Sequence, residues 1–178
     1  MTDPAPNTET TRLDRSYLRR NPNLMDEIIP GLYLGSLEAA VDHPLLAANK
    51  ITHILSLTST PIPVPPPKNI HHTHHIVRDS KTSNLMEILL SSLETIENAF
   101  TVRILVHCRM GISRSASVVL AYLLKHHSHE NLNSALKFLS SVRPCVNPNQ
   151  GFRSQLEILS SVKFDQGVIR ELGLLDLG

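Results

Sequence analysis

Short apolar runs rich in β-branched residues alternate along the chain with longer segments whose apolar residues fall at helical spacing. Two such runs, at 51–58 and 103–107, predict buried strands, and the histidine-rich stretch 72–77 between them can form the next strand. The longer segments, which predict helices, lie at 85–100, 113–125, 132–142 and 152–162. Strands that alternate with helices and are then followed by consecutive helices predict an α/β domain with a central, mostly parallel sheet flanked by helices.

Turn-forming residues separate these segments. Pro30-Gly31 stands between two short apolar runs and predicts a tight turn between two strands. Five prolines within 61–67 exclude regular strand pairing there, so we expect a loop. Asn84 and Asn131 precede helical patterns and are predicted to cap those helices. Arg143-Pro144 is expected to end the helix before it.

The chain has 178 residues, which is the size of one ordinary domain. Residues 1–24 are polar and show no sustained periodicity, so we expect a flexible N-terminal tail. The domain itself is predicted over 25–166, and 167–178 are expected to form a short C-terminal segment.

Composition narrows the possible partners. Seventeen basic against 16 acidic residues leave a formal charge of +1, which provides no overall field for a nucleic acid or an anionic membrane. No run of about 18 apolar residues is present, and 4% aromatic residues are few for stacking on bases. We therefore expect neither a nucleic-acid nor a membrane partner. Two cysteines exclude a disulfide scaffold and favour a reducing compartment, so we expect a cytoplasmic location, with the nucleus also open.

The most informative stretch is HCRMGISRS at 107–115, which lies between a predicted buried strand and a predicted buried helix. Ligands bind at such junctions in α/β proteins. Backbone N–H groups of the loop can converge on one anion, with Gly111 permitting the tight path and the helix N-terminus adding positive potential. The same environment lowers the pKa of the Cys108 thiol, which then is a thiolate at neutral pH. The planar fork of Arg114 suits two oxygens of a phosphoryl group.

A nucleophilic thiolate, a ring of donors and a bidentate arginine together predict phosphoryl transfer through a phosphocysteine. The spacing of Cys108 and Arg114 alone is a weak signal, because it arises by chance in about one chain in ten of this composition. The longer string on a strand, a loop and a helix is far less expected by chance.

Residues 107–116, HCRMGISRSA, match the signature HCxxGxSRSA of the dual-specificity branch of the cysteine-dependent protein tyrosine phosphatases. The similarity extends to IPGLYLGS at 29–36, to AYLL at 121–124 and to the stretch from Val142 to Gln155. The chain thus resembles, over about residues 27–162, a small atypical member of that branch that consists of the catalytic domain. The resemblance implies the fold of the protein tyrosine phosphatases.

The resemblance also implies a role for each position of the motif. Cys108 is the expected nucleophile, and Arg114 is expected to bind the substrate and stabilise the transition state. The Ser115 hydroxyl is expected to bond the thiolate and help it leave. His107 is expected to orient the loop and not to act as the base. Asn149 is expected to brace the loop, with a simple helix cap as the alternative. The further substrate-binding positions implied are Arg109, Met110, Gly111, Ile112 and Ser113.

Hydrolysis of a serine or threonine phosphate also needs a general acid, because an alkoxide leaves poorly. The acidic residues between the strands at 51–58 and 103–107 are Asp79, Glu87, Glu94 and Glu97. The glutamates lie on a predicted helix, whereas Asp79 lies on a loop directly after a strand. The family places its acid in such a loop, some thirty residues before the cysteine. We expect Asp79 to be the acid and then the base that activates water, with a turn-forming role as the alternative.

Histidines crowd positions 71–75, and imidazole binds zinc well. No nearby cysteine or carboxylate completes a tetrahedral set, and the implied mechanism needs neither metal nor cofactor. We therefore expect these histidines to be partly exposed strand residues and predict no metal site. Cys145 is expected to be a free thiol, with a disulfide to Cys108 as the alternative.

The expected function is that of a monomeric protein phosphatase that hydrolyses phosphotyrosine, phosphoserine and phosphothreonine in phosphorylated protein substrates. One alternative is a binding module without turnover, which the presence of Cys108, Arg114 and Asp79 disfavours. Another is a phosphatase for RNA 5′-phosphates or phosphoinositides, which the apolar Met110 and Ile112 disfavour. The chain has little room for a segment that deepens a phosphotyrosine pocket, so we expect a shallow site.

Overall fold

One sheet forms the centre of the computed structural model, which describes residues 23–98, 103–127 and 129–175. Its five strands in these residues are β1 (Met25–Ile29), β2 (Leu32–Gly35), β3 (His53–Thr58), β4 (His71–Ile76) and β5 (Ile104–His107). Their order is β1-β2-β5-β3-β4. Strands β1 and β2 pair antiparallel, and the three other neighbouring pairs are parallel. The predicted central, mostly parallel sheet is confirmed.

Helices cover both faces of this sheet. Within the described residues they are α1 (Leu37–Val41), α2 (His43–Ala48), α3 (Met86–Asn98), α4 (Arg114–His126), α5 (Leu132–Val142), α6 (Gln150–Ser161) and α7 (Gln166–Glu171). The four long helices predicted from periodicity correspond to α3, α4, α5 and α6. The predicted end of α3 at residue 100 lies outside the described residues.

The central strand β5 shows how the two faces are filled. Its side chains alternate, so that Ile104 and Val106 join a large apolar cluster with helices α3 to α7, whereas Leu105 joins a smaller cluster with α1 and α2. A strand that is covered on both faces is a continuous apolar run, as 104–106 is. Helix α4 lies between this strand and the helices α3, α5 and α6, and is therefore buried almost all round.

The turn-forming and capping residues predicted from the sequence lie where the structure has a turn or a helix end. Gly31 adopts a φ of 85° in the turn between β1 and β2. Asn131 caps α5 by accepting from the Ser134 backbone N–H at 3.0 Å. The Asn84 side chain accepts from the Met86 N–H at 3.0 Å as α3 begins. Arg143 is the residue at which α5 ends.

The predicted domain boundary at residue 166 does not mark the end of the packed chain. Helix α7 begins there, and its Ile169 is fully buried in the large apolar cluster. The short C-terminal segment predicted over 167–178 thus contributes Ile169 to the core. The N-terminal tail predicted over 1–24 lies almost wholly outside the described residues, and β1 begins at Met25. None of the helices in the described residues is both long and apolar enough to cross a membrane.

Candidate active site

The loop 108–113 connects the central strand β5 to the N-terminus of α4, as expected. It can turn this tightly because Gly111 has a φ of 67° and lies against strand β2. A Cβ at Gly111 would lie 2.5 Å from the Gly35 carbonyl oxygen, so no larger residue fits. The loop encloses a cavity of about 280 Å³, which is lined by Asp79, Cys108, Arg109, Met110, Ile112, Ser113 and Arg114. The structure therefore brings the acid expected from the loop after β4 next to the cysteine loop.

Cys108 lies buried at this cavity, and its sulfur accepts hydrogen bonds from a side chain and from the backbone. The Ser115 hydroxyl donates to Sγ at 3.1 Å, and the Gly111 backbone N–H donates at 3.3 Å. Burial by itself raises the pKa of the thiol, but the Arg114 guanidinium, the Ser115 hydroxyl and the backbone N–H groups of Ser115 and Ile112 outweigh it. The net effect holds the pKa of Cys108 below its ordinary value, which favours the thiolate.

Arg114 begins α4 and is held in place from two sides. Its Nη1 donates to the Val77 carbonyl at 3.2 Å, just beyond strand β4. Its Nε lies 3.6 Å from Asp79 Oδ2. Only 8% of the side chain is exposed, and the guanidinium borders the cavity. A buried, oriented guanidinium of this kind can bind two oxygens of a phosphoryl group.

Asp79 is fixed through its other carboxylate oxygen. Oδ1 accepts from the Ser113 hydroxyl at 2.8 Å and from Asn149 Nδ2 at 2.9 Å. The Asn149 backbone N–H also donates to the Ser113 hydroxyl oxygen at 3.1 Å, and its Oδ1 caps α6 by accepting from the Phe152 N–H. Asn149 thus caps α6, and it also contacts Ser113 of the loop 108–113 and Asp79 of the loop after β4. The Ser113 hydroxyl serves Asp79, so only the backbone of that position is left for a ligand.

His107 is fully buried and has both ring nitrogens engaged. Nδ1 lies 3.2 Å from the Cys108 carbonyl oxygen, and Nε2 lies 2.6 Å from the Ser56 hydroxyl. Burial lowers the pKa of His107 to about 4, against the opposing effect of its bond to Cys108. The ring is thus neutral at neutral pH, and neither nitrogen is bonded to the thiol.

Comparison with known proteins then decides the family. Residues 32–160 match the family model described as the catalytic domain of dual specificity phosphatases. The chain belongs to this family. It is 36% identical over 150 residues to Dual specificity protein phosphatase 1 of Arabidopsis thaliana, covering 83% of this chain and 74% of that protein. It is 35% identical over 150 residues to Dual specificity protein phosphatase MPK-4 of Drosophila melanogaster, covering 82% of this chain and 38% of that longer protein.

A solved structure agrees with this assignment. The crystal structure of DUSP15 matches with a TM-score of 0.73 and 32% identity, covering 84% of this chain and 94% of that one. The resemblance inferred from the signature is therefore confirmed, and so is the fold. The chain is a protein phosphatase domain of the dual-specificity type.

The sequence analysis missed one residue that holds the loop 108–113: Arg143 was predicted as a helix end and stood in the stretch that resembles the family, but no support of the loop was expected from it. Arg143 is fully buried, and its Nη1 pairs with Asp26 Oδ2 at 2.6 Å. Its Nε donates to the Gly111 carbonyl at 3.1 Å, and Nη2 to the Met110 carbonyl at 3.4 Å. No local pattern distinguishes this arginine, because Asp26 and the loop are both distant in sequence.

Helix α6 also anchors the loop after β4, which carries Asp79. Gln155 Oε1 accepts from the Leu85 N–H at 2.6 Å, and its Nε2 donates to the Ser83 carbonyl at 2.9 Å. A Cβ at Gly151 would lie 1.9 Å from the Lys81 carbonyl oxygen, so the loop touches the helix backbone directly. No local pattern along the chain predicts either contact, although both residues stand in the stretch that resembles the family.

The histidines of strand β4 and the second cysteine take other positions. His72 and His74 stack with ring centroids 6.2 Å apart and bond the hydroxyls of Ser56 and Thr58. No group of three His, Cys, Asp or Glu residues suited to a metal ion occurs within 23–98, 103–127 and 129–175. Cys108 and Cys145 are both free thiols. Cys145 is half-buried, with its sulfur 3.9 Å from the Gly111 carbonyl oxygen.

Proposed function

We propose that this domain hydrolyses phosphotyrosine, phosphoserine and phosphothreonine in proteins through a phosphocysteine intermediate. The observation that carries the proposal is one cavity lined by the Cys108 thiol, the Arg114 guanidinium and the Asp79 carboxyl. The thiol has a lowered pKa, which a nucleophile needs at neutral pH. A pocket that only bound phosphate would need neither the thiol nor the acid.

In the first step the Cys108 thiolate attacks phosphorus, and the bond from phosphorus to the leaving oxygen breaks. Arg114 binds two of the remaining phosphoryl oxygens and stabilises the charge that develops on them. Asp79 gives its proton to the leaving oxygen. Because Oδ1 already accepts from Ser113 and Asn149, Oδ2 is the oxygen that delivers the proton.

In the second step a water molecule attacks the phosphocysteine, and the Asp79 carboxylate takes the proton of that water. The bond from sulfur to phosphorus breaks and the thiolate leaves. The Ser115 hydroxyl, which donates to Sγ at 3.1 Å, stabilises the departing thiolate. The two steps release inorganic phosphate and restore the starting protonation states.

The surface of the site supports a peptide substrate. Met110 and Ile112 line the cavity with apolar groups, and Arg109 supplies a cation at its edge. A multiply charged RNA 5′-phosphate or phosphoinositide would be matched by a more basic loop. The names of the relatives point to the same substrate class. Action as a monomer in the cytoplasm, or also the nucleus, rests on composition alone and is part of this proposal.

Two substitutions test the mechanism. Cys108→Ser should abolish turnover, while Cys145→Ser, the matched control for losing a thiol, should not. Asp79→Asn should lower kcat by about 10²–10⁴ for alkyl phosphates and much less for aryl phosphates, whose leaving groups need little protonation. Rapid acid quench of Asp79→Asn with a labelled aryl phosphate should trap phosphate on Cys108. Turnover by Cys108→Ser within about tenfold of wild type would exclude the phosphocysteine.

Substrate specificity is tested with matched phosphotyrosine and phosphothreonine peptides. A short phosphothreonine side chain reaches the thiolate only in a shallow site, because about 1 Å of misplacement costs about 10²-fold in rate. We expect turnover of both, faster on tyrosine because phenolate leaves more easily. Arg114→Lys should be severe for both, since a point charge cannot replace the fork. Phosphothreonine rates at background across several peptides would contradict dual specificity.

A further inference from the structure

A row of three side chains crosses the sheet from its edge to the loop 108–113 that carries Cys108. His72 lies on the edge strand β4, Ser56 on β3 and His107 on the central strand β5. His72 Nε2 lies 2.8 Å from the Ser56 hydroxyl oxygen, which lies 2.6 Å from His107 Nε2. His107 Nδ1 in turn lies 3.2 Å from the Cys108 carbonyl oxygen. Ser56 and His107 are fully buried, whereas His72 is exposed.

The partners at each end determine where every proton of the row lies. A carbonyl oxygen only accepts, so His107 Nδ1 carries a hydrogen and donates to Cys108. Since burial keeps the His107 ring neutral, its Nε2 has no hydrogen and accepts from the Ser56 hydroxyl. That hydroxyl has one hydrogen, which is now used. His72 Nε2 must therefore donate to the Ser56 oxygen.

The last bond of the row fixes a peptide of the phosphatase loop. The peptide that joins Cys108 to Arg109 is planar and trans, so its N–H points away from its C=O. Holding the Cys108 carbonyl toward His107 therefore turns the Arg109 N–H to the opposite side of the peptide. If His107 carried its proton on Nε2, the lone pair of Nδ1 would face the carbonyl oxygen and repel it. The tautomer of His107 thus decides whether this peptide is held.

We propose that Ser56 and His72 are positioning residues for the nucleophile: they select the His107 tautomer that holds the Cys108–Arg109 peptide in its catalytic orientation. The role in catalysis rests on the proposed function of Cys108. His72 acts by pointing the single hydroxyl hydrogen of Ser56 toward His107, and Ser56 acts by supplying that hydrogen. A hydrogen-bond donor at position 72 preserves the direction of the hydrogen bonds along the row, and a side chain that can only accept reverses that direction.

Substitutions at the exposed His72 test the direction of the row without disturbing the core. His72→Gln can still donate to Ser56 through its amide. His72→Glu is ionised at neutral pH and only accepts, so it draws the Ser56 hydrogen to itself and leaves His107 Nε2 facing a lone pair. His74→Glu is the matched control, because it places the same charge two residues along the same strand. His74 bonds Thr58, which is not in the row and donates to the Thr60 carbonyl.

Two measurements report on the row in the full chain. Nitrogen-15 NMR of the His107 ring identifies which nitrogen carries the hydrogen. The pH dependence of Cys108 alkylation by iodoacetate gives the pKa of the thiol without any turnover. Steady-state kcat/KM on an aryl phosphate then shows whether the change reaches catalysis.

We expect His107 to be protonated at Nδ1 in the wild type, in His72→Gln and in His74→Glu, with kcat/KM within about twofold. In His72→Glu the hydrogen should appear at Nε2, the pKa of Cys108 should rise, and kcat/KM should fall about fivefold to tenfold, the effect of about one hydrogen bond. Ser56→Ala should also lose the preference for Nδ1. Because His72 is exposed, its variants decide the matter even where Ser56→Ala fails to fold.

Three results would overturn the proposal. One is a His107 that keeps its Nδ1 hydrogen in His72→Glu. Another is an equal loss of kcat/KM in His74→Glu, which would make the effect one of charge alone. The third is a changed tautomer with unchanged Cys108 alkylation and unchanged kcat/KM. Failure of the proposed phosphocysteine would be seen separately, as turnover by Cys108→Ser, and would leave the NMR result standing.

Discussion

The ion pair beneath the phosphatase loop provides the sharpest test of how the fold supports the site. Asp26→Ala removes the carboxylate that lies 2.6 Å from Arg143 Nη1. The Arg143 side chain is 0% exposed and that of Asp26 11%, so water does not replace the lost partner without rearrangement. The carbonyls of Asn23, Met110 and Gly111 remain as acceptors for the guanidinium.

The expected loss of stability follows from this burial. Removing one partner of a buried pair costs about 3–5 kcal/mol, because the remaining charge stays buried. Three carbonyls still solvate part of the charge, so we place Asp26→Ala near the lower end, at about 3 kcal/mol. A domain of ordinary stability, about 5–15 kcal/mol, survives this loss and can be assayed.

Urea unfolding, followed by circular dichroism, measures the free energy of unfolding of each variant. The neighbouring Glu27 provides a matched control, because it pairs with Arg103 at 3.1 Å with both side chains about 40% exposed. Glu27→Ala should cost at most about 1 kcal/mol, as exposed pairs do. A loss in Asp26→Ala no larger than that in Glu27→Ala would refute the reasoning.

The double variant Asp26→Ala/Arg143→Met separates stability from activity. It removes both charges, so it should recover much of the lost stability, since apolar replacements of buried pairs are often neutral. It also removes the donors to the Gly111 and Met110 carbonyls, so the loop loses its support and kcat/KM should stay low. Recovery of full activity together with stability would show that Arg143 does not hold the loop.

Four further predictions follow from the site. Gly151→Ala should displace the acid loop, because its Cβ meets the Lys81 carbonyl, and should lower kcat more for alkyl than for aryl phosphates; equal losses would contradict this. His107 has a pKa of about 4 when folded and about 6.5 when unfolded, so the unfolded chain binds the proton first as the pH falls. The free energy of unfolding should therefore fall by about 2 kcal/mol between pH 7 and pH 5. A free energy of unfolding that stays constant over this range in urea titrations would refute the prediction. Hydrogen peroxide should abolish activity and dithiothreitol should restore it, because a thiolate oxidises first to sulfenic acid. Activity that persists in peroxide would show that Cys108 is not a thiolate. Exhaustive EDTA treatment should leave activity unchanged.

Much of the fold could be predicted because its signals are local. The strand 104–107 is a continuous apolar run, and helix α4 is apolar almost all round, so their burial follows from their own residues. The loop between them carries the cysteine, the arginine and the glycine that its tight path requires. Asp79 was predicted as the acid because the other acidic residues of that stretch lie on a predicted helix, and because the resemblance implies an acid in a loop at this distance before the cysteine.

Local patterns therefore predicted the strands, the four long helices, the loop 108–113 and the candidate reactive groups, because each of these signals depends on neighbours within a few residues. The contacts that support these elements depend on how distant segments pack. Arg143 reaches Asp26 across 117 positions, and Ser56 reaches His107 across 51. Burial of α7 through Ile169 depends likewise on the large apolar cluster. Such contacts form between segments whose local patterns are independent of one another, so no periodicity or motif in either segment records them.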